Sequence, residues 1–177
     1  GSDPVEDGLV SSLNRPGGNL TGVVVFTTSL GPKRLQLLRE LVPKAATIGF
    51  LVNPRSQIAD IQIKDLQEAA RVVGQKLQVL NAGTESELDL AFATLVQRRA
   101  GALLMSADLF YQVRREQVVA LAARHAIPTM YEWREFAEAG GLISYSPDRT
   151  DTSRQSGIYV GRVLNGAKPA DLPIVRS

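Results

Sequence analysis

Short unbroken apolar runs alternate along this chain with longer stretches in which apolar residues recur every three or four positions. The clearest run, Thr47 to Val52, has no polar alternation and stops at Asn53-Pro54. A strand with one wet face would alternate, so this one reads as buried on both faces, as in a parallel sheet. Similar runs predict strands over 20–26, 77–80, 102–105, 127–131 and 142–144.

Helical spacing fills the intervals. Leu35, Leu38, Leu41 and Val42 predict a helix stopped by Pro43, and Ile58, Ile61, Leu66, Ala69, Ala70 and Val73 one over 58–73, closed by Gly74. Thr84-Glu-Ser-Glu87 is a capping box that introduces Leu88, Ala91, Phe92, Leu95 and Val96 on one helix face. Helices over 110–123 and 150–164 follow. Val5, Leu9, Val10 and Leu13 are also helix-compatible, in a segment ended by the structure-breaking stretch 14–19.

Strands alternating with helices of this length require parallel pairing through right-handed crossovers. The core from residue 47 to 144 is therefore expected to be a doubly wound α/β sheet, in the flavodoxin-like order 2-1-3-4-5. Segments before Thr21 and after Ser146 do not fit inside that unit.

In such a sheet the carboxyl ends of the strands share one edge, where ligands bind. Here that edge carries Asn53, Asp108, Tyr131, Glu132, Ser144 and Tyr145, and Arg55-Ser-Gln57 leads from Asn53 toward a helix start. Carboxylates can take an ammonium, helix N-termini and Asn a carboxylate, and Tyr rings can flank an apolar body. The rim suits a small polar or zwitterionic ligand. Polar strand ends also serve solvation and helix capping, so each residue alone has a structural reading. Asp108 and Glu132 are the one carboxylate pair placed on this rim, which leaves an acid–base enzyme as an alternative. His125, the single histidine, sits where a helix ends and reads as structural; Trp133 reads equally as a rim aromatic or a helix-start packing residue. Gly157-x-x-x-Gly161 suggests close helix packing.

Composition removes several classes. The 20 basic and 18 acidic residues are scattered without a basic run, which argues against nucleic acid as a partner. Cysteine is absent, so disulfides, thiolate catalysis and Cys-ligated metals are out, and one histidine supplies no convincing metal set. No Gly-x-Ser-x-Gly elbow, Gly-x-Gly-x-x-Gly or Walker loop occurs, and no cofactor is implied. No apolar run approaches the roughly 20 residues that span a bilayer. The chain is expected to be either cytoplasmic or relieved of a targeting segment.

Several stretches together carry a resemblance: Asp3-Pro-Val5, the segment from Asn14 to Gly22, Lys33 to Lys44, Gly49 to Pro54, Gln67-Glu-Ala-Ala70, Gly140-Gly141 and Gly166 to Pro173. With these, the chain resembles the ABC transporter substrate-binding proteins of the type I periplasmic fold, in the branch linked to tryptophan, tyrosine or related solutes. Such proteins have two lobes that close over a solute. The resemblance implies that 21–146 is the second lobe, with 1–20 a crossover from the first lobe and 147–177 a return to it. It further implies cleft-facing loops at Thr27-Thr28, Asn53, Asp108, Tyr131-Glu132 and Ser144-Tyr145, although Pro54-Arg55 replaces the longer polar stretch often found after Asn53. The implied function is capture of a small organic solute, such as an amino acid or aromatic compound, in the periplasm or at an extracytoplasmic anchor, for a membrane ABC permease. The effector-sensing domain of a regulator shares the fold and is the other alternative. A homodimer of the isolated lobe could form through surface that the first lobe would cover.

Overall fold

In a computed structural model, the described residues are 3–25, 30–147 and 149–176, with Arg149 described by its backbone alone. The elements in chain order are β1 (Val23–Val24), α1 (Gly31–Leu41), β2 (Thr47–Val52), α2 (Ala59–Val72), β3 (Lys76–Asn81), α3 (Glu85–Gln97) and β4 (Ala102–Met105). They continue as α4 (Leu109–Val113), α5 (Arg115–Arg124), β5 (Thr129–Tyr131), α6 (Arg134–Glu138), β6 (Ile143–Ser144), α7 (Arg149–Leu164), a 3-10 turn (Pro169–Asp171) and β7 (Val175–Arg176).

Five strands form one parallel sheet in the order β3-β2-β4-β5-β6. Counted from β2 this is 2-1-3-4-5, the flavodoxin-like order. Because successive side chains leave a strand on opposite faces, each central strand feeds two cores. Leu51, Leu103, Met105 and Tyr131 pack with Leu88, Phe92 and Leu95 of α3 and with Val118 and Leu121 of α5. Ile48, Phe50, Val52, Ala102, Leu104 and Met130 pack with Leu35 and Leu38 of α1 and with Leu66 and Ala70 of α2 on the other face. The sheet is apolar on both sides, which explains why β2 carries no alternation.

Helix boundaries follow the expected signals, while several faces are rotated. α2 turns Gln62 inward, 8% exposed, and leaves Ile61 51% exposed; on α3 and α1, Val96 and Leu41 also face solvent. The helix expected over 110–123 is two helices, α4 and α5, parted at Arg114, and α6 is an additional one. Instead of a helix over 5–13, hydrogen-bonded turns occupy 4–8: Asp3 Oδ1 accepts from Val5 N at 2.8 Å, and Gly8 breaks the turn at φ +69. The strand expected over 20–26 is reduced to β1, with Phe26 outside the described residues. Cβ atoms at Gly157 and Gly161 would meet nothing within 4 Å, so the close packing expected there is not found among the described residues.

The Thr84 capping box forms. Thr84 Oγ1 accepts from Glu87 N at 3.3 Å, while Glu87 Oε2 accepts from Gly83 N at 2.7 Å, one residue upstream of the usual reciprocal donor. Thr84→Ala is expected to cost about 1 kcal/mol in urea denaturation, with little change in the transition's slope.

Two compact units result, Thr28–Ser146 and the combination of Gly1–Thr27 with Pro147–Ser177. The first holds the five-stranded sheet. In the second, β1 pairs in parallel with β7, Tyr159 donates to Pro173 O at 2.5 Å and Thr21 Oγ1 to Leu172 O at 2.7 Å.

Candidate functional site

Strand register decides which residues meet at the sheet edge. Val52 lies beside Asn81, Leu51 beside Met105 and Tyr131 beside Ser144. Asn53, Gly83, Asp108, Glu132 and Tyr145 therefore emerge at the same carboxyl edge.

One half of this edge is a hydrogen-bonded loop cluster. The buried Asn53 accepts from Arg55 N at 3.0 Å through Oδ1 and donates from Nδ2 to Asp108 Oδ1 at 2.9 Å. The same Asp108 oxygen accepts from Phe110 N at 2.8 Å and caps α4. Arg55 Nη1 donates to Gly83 O at 3.1 Å. A Cβ on Gly83 would lie 2.6 Å from Asn53 Oδ1, so the loop after β3 can approach Asn53 only as glycine. Beneath, the Gln62 amide clamps Ala107, donating to its carbonyl at 3.2 Å and accepting from its N–H at 2.9 Å. Tyr111 donates to Ala82 O at 2.7 Å, and burial pushes its phenol far above the usual range.

Charge defines the other half. Glu132, directly after β5, is 1% exposed, and Arg34 of α1 is 3% exposed. Arg34 Nε donates to Tyr145 O at 2.8 Å, which holds the guanidinium so that Nη2 stops 3.4 Å from Glu132 Oε1. That is ion-pair range without a hydrogen bond. Arg34 Nη2 and both Glu132 carboxylate oxygens are buried with no hydrogen-bond partner among the described residues. Burial pushes the Glu132 carboxyl up to about 7 despite the pull of Arg34, and the same burial lowers Arg34. A buried ion pair this poorly satisfied costs stability, because desolvation of both charges is only partly offset by their attraction.

The residues anticipated from sequence thus separate. Asn53 and Asp108 are joined directly, and Glu132 and Tyr145 are joined through Arg34. Tyr145 is 38% exposed and Ser144 is half-buried at the end of β6. Tyr131 leaves the strand on the core side, stacked on Phe136 with centroids 4.9 Å apart and planes 13° apart, and burial raises its phenol to about 12. Its ring is 1% exposed and packs in the apolar core. Thr27 and Thr28 lie outside the described residues. Trp133 packs against the apolar core at the start of α6, and His125 ends α5 with its ring stacked 6.1 Å from Phe92.

Among the site residues not singled out from sequence, alongside Gly83 and Tyr111, are Arg34 and Gln62. Both fall on an apolar helical stripe: Arg34 is four residues before Leu38, and Gln62 is four before Leu66. A polar residue in phase with a buried stripe was the available signal. Among the described residues, no group of three or more His, Cys, Asp or Glu is placed to hold a metal ion, and no helix is long and apolar enough to cross a membrane.

The chain is similar to several known proteins. A tyrosine-binding protein of Clostridioides difficile is 28% identical over 173 residues, covering 98% of this chain and 49% of that protein. The crystal structure of an ABC domain in complex with L-Trp from Streptococcus pneumoniae superposes with a TM-score of 0.80 at 26% identity, over 99% of this chain and 60% of that one. A ligand-free, open substrate-binding protein with adhesive properties from Clostridium difficile gives 0.74 at 28% identity, over 99% and 59%. The chain therefore spans about half the length of the curated relative it matches. The sheet is that of a type I periplasmic-binding-protein lobe. The family model for ABC transporter substrate binding protein matches residues 1–177, and the chain belongs to that family.

Proposed function

We propose that this chain is the second lobe of an extracytoplasmic solute-binding protein, with flanking pieces of the first, which captures a small organic solute of the amino-acid or aromatic kind and presents it to a membrane ABC permease. Family membership supports the class, and the relatives that bind tyrosine or carry L-Trp support the kind of solute. The observation that carries the reading is Glu132, a buried carboxylate at the carboxyl edge of the sheet that is ion-paired with Arg34 and has no hydrogen-bond partner among the described residues. Capture needs no chemical step. Closure of two lobes on the solute favours the closed state by the contacts made only there, and the permease reads that state.

Asp108 and Glu132 suit this role better than an acid–base pair. One Asp108 oxygen is already committed to Asn53 and to the cap of α4. A thermal-shift screen of this chain and of a form extended upstream, against amino acids, aromatic acids and short carboxylates, tests the reading. A solute that stabilises the extended form and acts weakly on this chain supports two-lobe capture. Turnover of a bound compound, lost in Asp108→Asn, would overturn it in favour of an enzyme.

A further inference from the structure

We infer that the amino edge of the five-stranded sheet, the end of that unit opposite the candidate site, is a docking surface for the anionic headgroups of a phospholipid bilayer. In a parallel sheet the loops that precede the strands share one edge, and helices running antiparallel to the strands bring their last turns to it. Lys44, Lys76, Arg98, Arg99 and Arg124 fall at this edge, at or just before the starts of β2, β3, β4 and β5, and all five are exposed. Scattered along the sequence, they are gathered by the fold. Among the described residues none of the five is in an ion pair. Near the ends of α2 and α6, Glu68 and Glu138 are paired with Arg71 and Arg134, and at the end of α1 Arg39 offsets Glu40. The five cations therefore stay unneutralised.

The loops that carry them form one platform. Gln75 Nε2 donates to the carbonyls of Ala45 and Ala46 at 3.1 Å each, and Gly101 N donates to Thr47 O at 2.9 Å. A Cβ on Gly101 would lie 2.7 Å from Ala45 Cα, so the loops bearing Lys44 and Arg99 touch through a glycine. With neighbouring strands about 4.8 Å apart, the four strand starts span roughly 15 Å. Helix dipoles favour a cation in a last turn, which accounts for Arg124, but Lys44 and Lys76 lie past the ends of α1 and α2. Arg99 holds φ +53 just beyond the cap of α3, where glycine is favoured, so a long cation is kept there at a backbone cost.

Apolar side chains decide the partner. Leu41, Val72, Val73, Val96 and Leu142 stand at the ends of α1, α2 and α3 or just before β6, and their exposure runs from 40% at Val73 to 71% at Val72. Cations among aliphatic side chains suit a lipid interface, where phosphates take the charges and the outer acyl region takes the aliphatics. Nucleic acid strands call for stacking aromatics, and His125, the aromatic side chain of these loops, already stacks on Phe92.

Co-sedimentation of this chain with phosphatidylcholine vesicles containing about 30% phosphatidylglycerol, in about 0.1 M salt, tests the surface. The chain should partition onto them and not onto pure phosphatidylcholine. Each cation near an anionic surface is worth roughly fivefold in partitioning, so Lys44→Gln with Arg98→Gln should lower it about twentyfold. Val72→Ser with Leu142→Ser should lower it severalfold, while Lys33→Gln, at the other end of α1, should change it less than about twofold. No partitioning onto the anionic vesicles, an undiminished value in K44Q/R98Q, or a loss per charge as large in K33Q overturns the inference. Tighter binding to an RNA duplex than to the vesicles, lost in K44Q/R98Q, overturns it in favour of nucleic acid. If that variant does not fold by circular dichroism, Lys76→Gln with Arg99→Asn takes its place. Vesicle binding needs no solute, so its failure leaves solute capture standing.

Discussion

Glu132→Gln is expected to make the ligand-free protein more stable at pH 8, by about 3 kcal/mol, with the gain fading to nothing near pH 4. The carboxyl sits near 7 when folded, against an ordinary value of 4.5. Folding thus holds a proton more tightly than the unfolded chain does, and stability falls as pH rises between those values. The favourable contribution is fully present below about 4.5 and gone above about 7. Each tenfold change in proton affinity is worth about 1.4 kcal/mol, so the loss amounts to about 3 kcal/mol. A glutamine has the shape of the protonated acid and nothing to ionise. Urea denaturation of both proteins from pH 4 to 8 isolates this group, because every other carboxylate is common to the pair. A difference that stays flat across the range would mean that Glu132 is well satisfied as an anion and that the edge holds no stored cost.

Phe92→Ala should cost about 3–5 kcal/mol, the range for emptying a buried aromatic site. Phe92 has no exposed surface and lies among Leu51, Leu88, Leu95 and Leu103, where α3 meets the sheet, with His125 stacked on its ring. Backbone on one side belongs to a central strand and on the other to a capped helix, so the walls cannot collapse far into the space. Urea denaturation at pH 7 gives the value. A cost below about 1 kcal/mol would show α3 sliding to fill the gap.

Much of this fold was legible because its signals are local. The unbroken apolar run of β2 reports burial on both faces, and the Thr84 capping box fixes a helix start within one turn. Faces were harder. Ile61 is as apolar as any core residue, yet α2 turns it outward and Gln62 inward, since Gln62 alone can bind the backbone of Ala107. The split at Arg114 leaves no mark in the apolar spacing of 110–123.

At the site, strand ends identified the edge, while the direction of each side chain was set by pleat. Tyr131 and Glu132 are neighbours in sequence, and alternation sends the tyrosine into the core and the glutamate to the edge. Arg34 escaped notice because Lys33-Arg34 looks like solvated helix surface until the tertiary partner, a carbonyl 111 positions away, is known.

The pairing of β1 with β7 bears on the order of folding. The unit Thr28–Ser146 is continuous, and its sheet joins strands that follow one another closely along the chain, whereas Thr21 and Leu172 must meet across 151 positions. Closing so long a loop is favourable only once the intervening chain has become compact. The five-stranded unit can therefore form early, during synthesis, and serve as the short tether that brings the two distant ends of the other unit within reach. Refolding of this chain is accordingly expected to show a local stage that builds the five-stranded sheet and a later one that ties β7 to β1.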